Sequence, residues 1–381
     1  MEFVEVPPLR FPEFTDEWEQ HMTTDFFEFK NGLNPDVKRF GTGIKFISVM
    51  DILNNRYITY DKIISAVEAK DDDLRDFGVN YGDILFQRSS ETLEDVGRAN
   101  VYLDEKPALF GGFVIRGKRI GDYNPLFFRY LLSSPSVRKR IIVKGAGAQH
   151  FNIGQDGLSK VSLFVPSAKE QDRIAQLLNA IDKRIEVQSG LIEDLQKLKA
   201  ALYQKVFSSI PGEEVALSNL AKIIKGKQIN GTELFDSGNY YVMNGGTLPS
   251  GFYNEYNTPA NTISISEGGN SCGYVQFNNV PFWSGGHCYT LQITSKQIHL
   301  SYLYHYLKHR EQVIMALRIG SGLPNIQKKD LERFPILMPT IEIQQKLSRI
   351  FDSLQRKEEV EKSILNRCLS QKQYLLQKMF I

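Results

Sequence analysis

The sequence predicts an α+β protein laid out twice: a globular segment, a long helix, a second globular segment and a second long helix, the helices paired antiparallel as a coiled coil and the halves related by a pseudo-two-fold axis. Three observations predict it. A stretch of more than 40 residues recurs without a gap, each copy carries a heptad stripe, and each follows a segment of short, glycine-punctuated strands. The expected boundaries are 1–165, 166–210, 211–338 and 339–381.

The first head holds Gly82-Asp83 before Ile84-Leu85-Phe86 and the polar loop Gln87 to Thr92; the second holds Asn261-Thr262-Ile263-Ser264-Ile265 before Ser266 to Ser271. Each then has paired glycines before a β-rich run, Gly111-Gly112-Phe113-Val114-Ile115 and Gly285-Gly286-His287-Cys288-Tyr289. Aromatic helical patterns follow at Leu126–Leu132 and Leu303–Leu307, then glycine loops at Lys144–Gly147 and Arg318–Gly322. β-Branched runs bounded by Gly, Asn, Asp and Ser read as strands, and the aromatic patterns read as helices facing a core.

The helices come from the repeat. Pro166 to Phe207 matches Pro339 to Phe380 at a constant offset, with identities at Gln171/Gln344, Val187/Val360, Lys199/Lys372, Leu202/Leu375 and Phe207/Phe380. The offset extends upstream through Gly147/Gly320, Asn152/Asn325 and Leu158/Leu331, so the unit duplicated is larger than a helix. In the first copy Ile174, Leu178, Ile181, Ile185, Gln188, Ile192, Leu195, Lys199, Leu202 and Val206 advance by alternating steps of four and three. In the second the stripe is Leu347, Phe351, Leu354, Glu358, Glu361, Leu365, Cys368, Lys372, Leu375 and Met379. Such spacing without internal proline makes a coiled-coil seam, and about 40 residues at 1.5 Å rise give a rod of roughly 60 Å. Each rod needs a partner, and the other copy supplies one. Glu358 and Glu361 break the apolar stripe, so their side chains are expected to face solvent or another subunit.

Composition removes whole classes of function. At 381 residues with 42% hydrophobic and 24% charged, the chain is ordinary globular protein. Three cysteines give no disulfide framework and suit a reducing, cytoplasmic setting. No apolar run is long enough to span a bilayer, and the acidic, proline-bearing first residues do not read as a secretory leader. Net charge is +2, but the partition is uneven: −3 over residues 1–165, −1 over 166–214, and +3 over each of 215–338 and 339–381. A nucleic-acid surface would therefore be local.

The layout resembles the specificity (S) subunit of Type I restriction-modification systems. The resemblance rests on the Pro166 and Pro339 blocks, their terminal Gln-Lys-Val/Met-Phe, the Gly-Ala-Gly…Asn152-Ile153 and Gly-Ser-Gly…Asn325-Ile326 loops, Gly82–Thr92 and Tyr241–Gly246. It implies two target-recognition domains reading an asymmetric bipartite target on double-stranded DNA. It also implies docking of two methylase subunits, which use S-adenosylmethionine, and of restriction (motor-nuclease) subunits, which use ATP and Mg²⁺. The chain itself would be non-catalytic and without cofactor.

The residues agree with that division of labour. Asn124-Pro125-Leu126 lacks the second proline and the aromatic of an adenine-methylase loop, and no phosphate-binding Gly-x-x-x-x-Gly-Lys-Ser/Thr string occurs. Pro35-Asp36 with Glu68-Ala69-Lys70 stretches onto a nuclease pattern, but the second head has no counterpart. His305 and His309 sit one helical turn apart without a third ligand, so no metal site is expected. Cys288 and Cys368 read as small apolar fillers.

Base reading needs polar side chains on groove-facing loops: Gln87, Arg88, Ser89, Ser90 and Arg98 in the first head, and Asn244, Ser266, Glu267, Asn270 and Ser271 in the second. Phosphate contacts are expected from Arg138, Lys139, Arg140, Lys144, Gly145 and Gly147, and from Arg318, Gly320 and Gly322. The competing account of the basic cluster is a solvated helix face. A coiled-coil scaffold whose heads bind polypeptides rather than DNA is the alternative function.

Overall fold

The computed structural model describes residues 6–147, 149–320, 322 and 324–381. The chain divides into two compact units, Met1–Ser189 with Ile364–Ile381, and Gly190–Ser363. Ser321, the centre of the second glycine loop, and residues 1–5 lie outside the described residues.

The first unit is built on a four-stranded antiparallel sheet. Its strands are β1 (Phe27–Asn31), β3 (Ile84–Gln87), β4 (Ala99–Val101) and β6 (Val114–Arg119), in the order β1-β6-β3-β4. β2 (Phe40–Ile47) and β5 (Leu109–Phe110) pair in parallel beside it. Helix α1 (Pro125–Ser133) starts on Asn124, whose side chain accepts from the Phe127 N–H, with proline as its first residue. Its aromatic face, Phe127, Phe128 and Tyr130, is buried with Trp18, Phe27 and Phe86 in one core.

The second unit repeats the plan. Strands β7 (Ala221–Lys225), β9 (Thr262–Ser266), β10 (Val275–Asn278) and β12 (Cys288–Ile293) run in the order β7-β12-β9-β10. β8 (Tyr240–Met243) and β11 (Trp283–Ser284) form the parallel pair. The two rods are α2 (Ala168–Phe207) and α4 (Ile341–Lys378), and α3 (Leu300–His309) takes the place of α1.

Each unit holds one segment of each rod, and in each the segments run antiparallel. In the first, Ile174, Leu178 and Ile181 share a core with Leu375, Met379 and Phe380, with Ile185 packed against it. Asp182, buried, accepts from Lys372 Nζ at 2.7 Å and from the Tyr130 hydroxyl at 2.8 Å. In the second, Tyr203 and Phe207 share a core with Leu347 and Phe351, edged by Leu202, Val206 and Leu354. There Lys199 Nζ donates to Gln355 Oε1 at 3.0 Å. Gln355 and Lys372 are the repeat equivalents of Asp182 and Lys199, so the same two repeat positions meet in both units. Ile192 and Leu195 are buried, while Leu365 is half-buried.

Glu358 departs from the sequence expectation. It is buried in the seam, where Lys199, Lys362 and Gln196 all donate to it. Burial opposes its ionisation, but those three hydrogen bonds outweigh burial and hold the carboxyl down at about 2. Glu361 is half-buried rather than projecting freely.

Candidate nucleic-acid interface

Backbone hydrogen bonds put the two heads into register residue by residue. The Arg88 N–H donates to the Phe113 carbonyl, and the Arg88 carbonyl accepts from the Ile153 N–H; Glu267 does the same with His287 and Ile326. Gln87 and Gly97 mirror Ser266 and Gly273. Gly111 donates to Ile47 as Gly285 does to Met243. Ala146 and Asn152 exchange two bonds across the glycine loop, as do Ile319 and Asn325. Positions 88 and 267 are thus one structural niche, filled by an arginine in one head and a glutamate in the other.

Around this niche the first head keeps several of the candidates in one place. Arg88, half-buried, donates from Nη1 to the Gly112 carbonyl at 3.3 Å. Ser89 donates to Asn152 Oδ1, and Ser90 to the Thr92 carbonyl. Arg98 is exposed and bridges to Asp95 at 2.6 Å. Gln87 is buried, its amide donating to the Ser89 carbonyl at 2.8 Å, so it shapes the loop from within.

The basic cluster divides. Arg138 Nη2 donates to the Glu94 and Val96 carbonyls at 2.8 and 2.7 Å, which ties its helix to the preceding loop. Burial, aided by the charge of Arg98, pushes its guanidinium down to about 10. Arg140 lies over the Phe164 ring and donates to the Ser162 carbonyl at 3.3 Å. Lys139 and Lys144 are exposed. Gly145 is packed so closely that a Cβ would sit 2.7 Å from Val96 Cγ1. Gly147 takes φ +147° at the tip of its loop, as Gly320 takes φ +103°, conformations that favour glycine in both copies.

In the second head Ser266 and Glu267 are buried. Ser266 donates to the Gly245 carbonyl, while Glu267 Oε1 accepts from Lys225 Nζ at 2.6 Å and the Tyr289 hydroxyl at 3.1 Å. Asn244 Oδ1 accepts from the His287 N–H at 3.1 Å. Asn270, Arg318 and Gly322 are exposed, and Ser271 is half-buried. His305, by contrast, is wholly buried between the Tyr203 hydroxyl at 2.7 Å and Asp352 at 2.9 Å, and His309 stacks on Phe207.

Two pairs of residues stand at the niche that the sequence reading did not select. Phe113 and His287 occupy the same place in the Gly-Gly turn, and both are exposed, the Phe113 residue by 69% and the His287 side chain by 63%. On the second glycine of each turn lies a side-chain amide. A Cβ on Gly112 would fall 2.0 Å from Asn34 Oδ1, and one on Gly286 would fall 2.5 Å from Gln228 Oε1. Asn34 and Gln228 are equivalent, since Leu33 donates to Phe110 as Lys227 does to Ser284. Their offset is 194, against 174 at the turns and 173 along the rods, so comparison at one fixed offset passes over them.

The family of Type I restriction modification DNA specificity domains matches this chain over residues 15–197 and 211–368. The chain belongs to this family. Each matched stretch takes in one head and most of the rod that follows it. A putative type I specificity subunit of Mycoplasma pneumoniae is 36% identical over 141 residues, spanning 36% of this chain and 37% of that protein. Another, from Mycoplasma genitalium, is 24% identical over 270 residues, 67% of this chain and 70% of that one. The crystal structure of a Type I restriction-modification S subunit from M. genitalium superposes with a TM-score of 0.71 at 21% identity, covering 99% of both chains, so the S-subunit fold is shared. Among the described residues, no helix is long and apolar enough to cross a membrane.

Proposed function

We propose that the chain is the DNA-recognition subunit of a Type I restriction-modification complex and that it reads an asymmetric, two-part duplex target, one part per head. The observation that carries this reading is the shared niche: one backbone frame occurs in both heads and is filled by unlike side chains, half-buried Arg88 and exposed Phe113 against buried Glu267 and exposed His287. A repeated frame with different contents reads two different short sequences. Exposed Lys139, Lys144 and Arg318 near the glycine loops supply phosphate contacts that position each head without choosing a base.

In this reading the chain is non-catalytic. Methylation of adenine belongs to two partner methylase subunits that bind S-adenosylmethionine, and cleavage to restriction subunits that bind ATP and Mg²⁺. The paired rods offer those partners a continuous helical surface in each unit.

Retention of the purified full chain on a duplex of random sequence, titrated with salt, tests the DNA-binding half of the proposal. The logarithm of affinity should fall linearly with the logarithm of salt concentration, because cationic side chains release counterions from phosphate. No retention even at low salt would favour the polypeptide-binding scaffold. Arg88→Ala should relax base preference in one half of the target only.

A further inference from the structure

We propose that the Gly-Gly turn of each unit is a base-reading site in which a side-chain amide, Asn34 in the first unit and Gln228 in the second, contacts the edge of an adenine in the major groove, with the adjacent ring, Phe113 or His287, setting the neighbouring preference. The inference rests on the proposed DNA-recognition reading and names the residues that would carry it out.

The chemistry suits the ligand. A planar amide offers a donor and an acceptor side by side, the complement of adenine N7 and N6, which is why Asn and Gln pair with that base. Asn34 is exposed and makes no hydrogen bond among the described residues. Gln228 is exposed and donates from Nε2 to the Ile229 carbonyl at 3.0 Å, which leaves its Oε1 and one N–H for a ligand. Each amide follows a β-strand end and lies against the second glycine of the turn.

The amide lies against the turn. At Gly112 and at Gly286 the atom nearest to a built Cβ is the amide oxygen itself, at 2.0 and 2.5 Å. In both heads the glycine makes room for the group, although the intervening segments differ so much in length that the offset moves from 174 to 194. An amide whose only task was to fill space would not need to be amide in both heads.

The ring beside it changes character. Phe113 exposes most of an apolar ring to water, which is suited to the thymine methyl group or to a base face; His287 offers nitrogen donors and acceptors at the same place. Two half-sites that share an adenine contact and differ beside it follow from that change.

The test selects bound duplexes from a library with a randomised region, using the full chain and two near-isosteric variants, Asn34→Leu and Gln228→Met, with thermal unfolding of each as a control. Asn34→Leu should lose roughly 10- to 100-fold discrimination at one adenine of one half-site and leave the other half-site untouched, with an unchanged melting midpoint. Gln228→Met should do the same in the other half-site, and Phe113→Ala should shift preference at the neighbouring pair. If the wild type selects a two-part sequence and both variants select the same one, or both lose affinity uniformly across sequences, the amides only brace the turns and this inference fails alone. If the wild type selects no sequence, the recognition reading fails and takes this one with it.

Discussion

The two heads share a sheet but fill one face of it differently. In the first, Arg116 on β6 is buried, donates from Nη1 to the Gly78 carbonyl and lies over the Phe110 ring, 5.6 Å from its centroid. Burial draws its guanidinium below the usual arginine range. In the second head the register puts Thr290 at that position, and a cleft of about 600 Å³ opens there, lined by Ile224, Lys227, Asn257, Asn261 and Thr290. The frame is therefore indifferent to how this face is filled. What both heads retain is the far end of the sheet, with its Gly-Gly turn, its amide and the niche of Arg88 or Glu267. The parts held constant carry the exposed Phe113 and His287 and the exposed amides Asn34 and Gln228, and the part that varies is interior support.

The sharpest way to break this contrast is to empty the first head. Arg116→Ala removes the donation to Gly78 and leaves a void, and should cost about 3 kcal/mol; Thr290→Ala at the matching place should cost under about 1 kcal/mol. Trp18 and Trp283 are the two tryptophans, one in each head, so fluorescence-monitored denaturation of Trp18→Phe and Trp283→Phe backgrounds assigns each loss to its unit. Equal losses would mean that the open cleft is not tolerated as described.

Next in size comes the seam. Lys199→Ala leaves buried Glu358 with Lys362 and Gln196 alone and should cost about 2 kcal/mol, visible as a lowered denaturation midpoint. A smaller effect follows from the same carboxylate. Held down to about 2 in the fold and titrating near 4.5 when unfolded, Glu358 stabilises fully above pH 4.5, and that contribution is lost as pH falls toward 2. Glu358→Gln should flatten this acid limb of the stability profile, and an unaltered profile would place the acid sensitivity elsewhere.

Periodicity made the rods legible, because a heptad stripe is a local pattern that needs no knowledge of what it touches. The Lys199 contact to Glu358 was not legible: an acid in an apolar stripe looks misplaced until the lysine that meets it, 159 residues away, is known. The heads were readable as strand, polar loop and glycine turn, since glycine and β-branched residues mark these locally. Gln87, Ser266 and Glu267 look like loop residues in sequence, yet Gln87 and Ser266 each end a strand, Glu267 directly follows one, and all three are buried. Asn34 and Gln228 stayed hidden because insertions between the repeats shift their offset, and only backbone pairing restores their equivalence.

The claim that each head reads its own half of one target is tested most directly by co-expressing the chain with a Type I methylase and mapping methylated adenine across the host genome. Modification at sites made of two unlike short blocks separated by unread base pairs is the predicted result. Modification confined to one uninterrupted block, or to two identical inverted blocks, would contradict it.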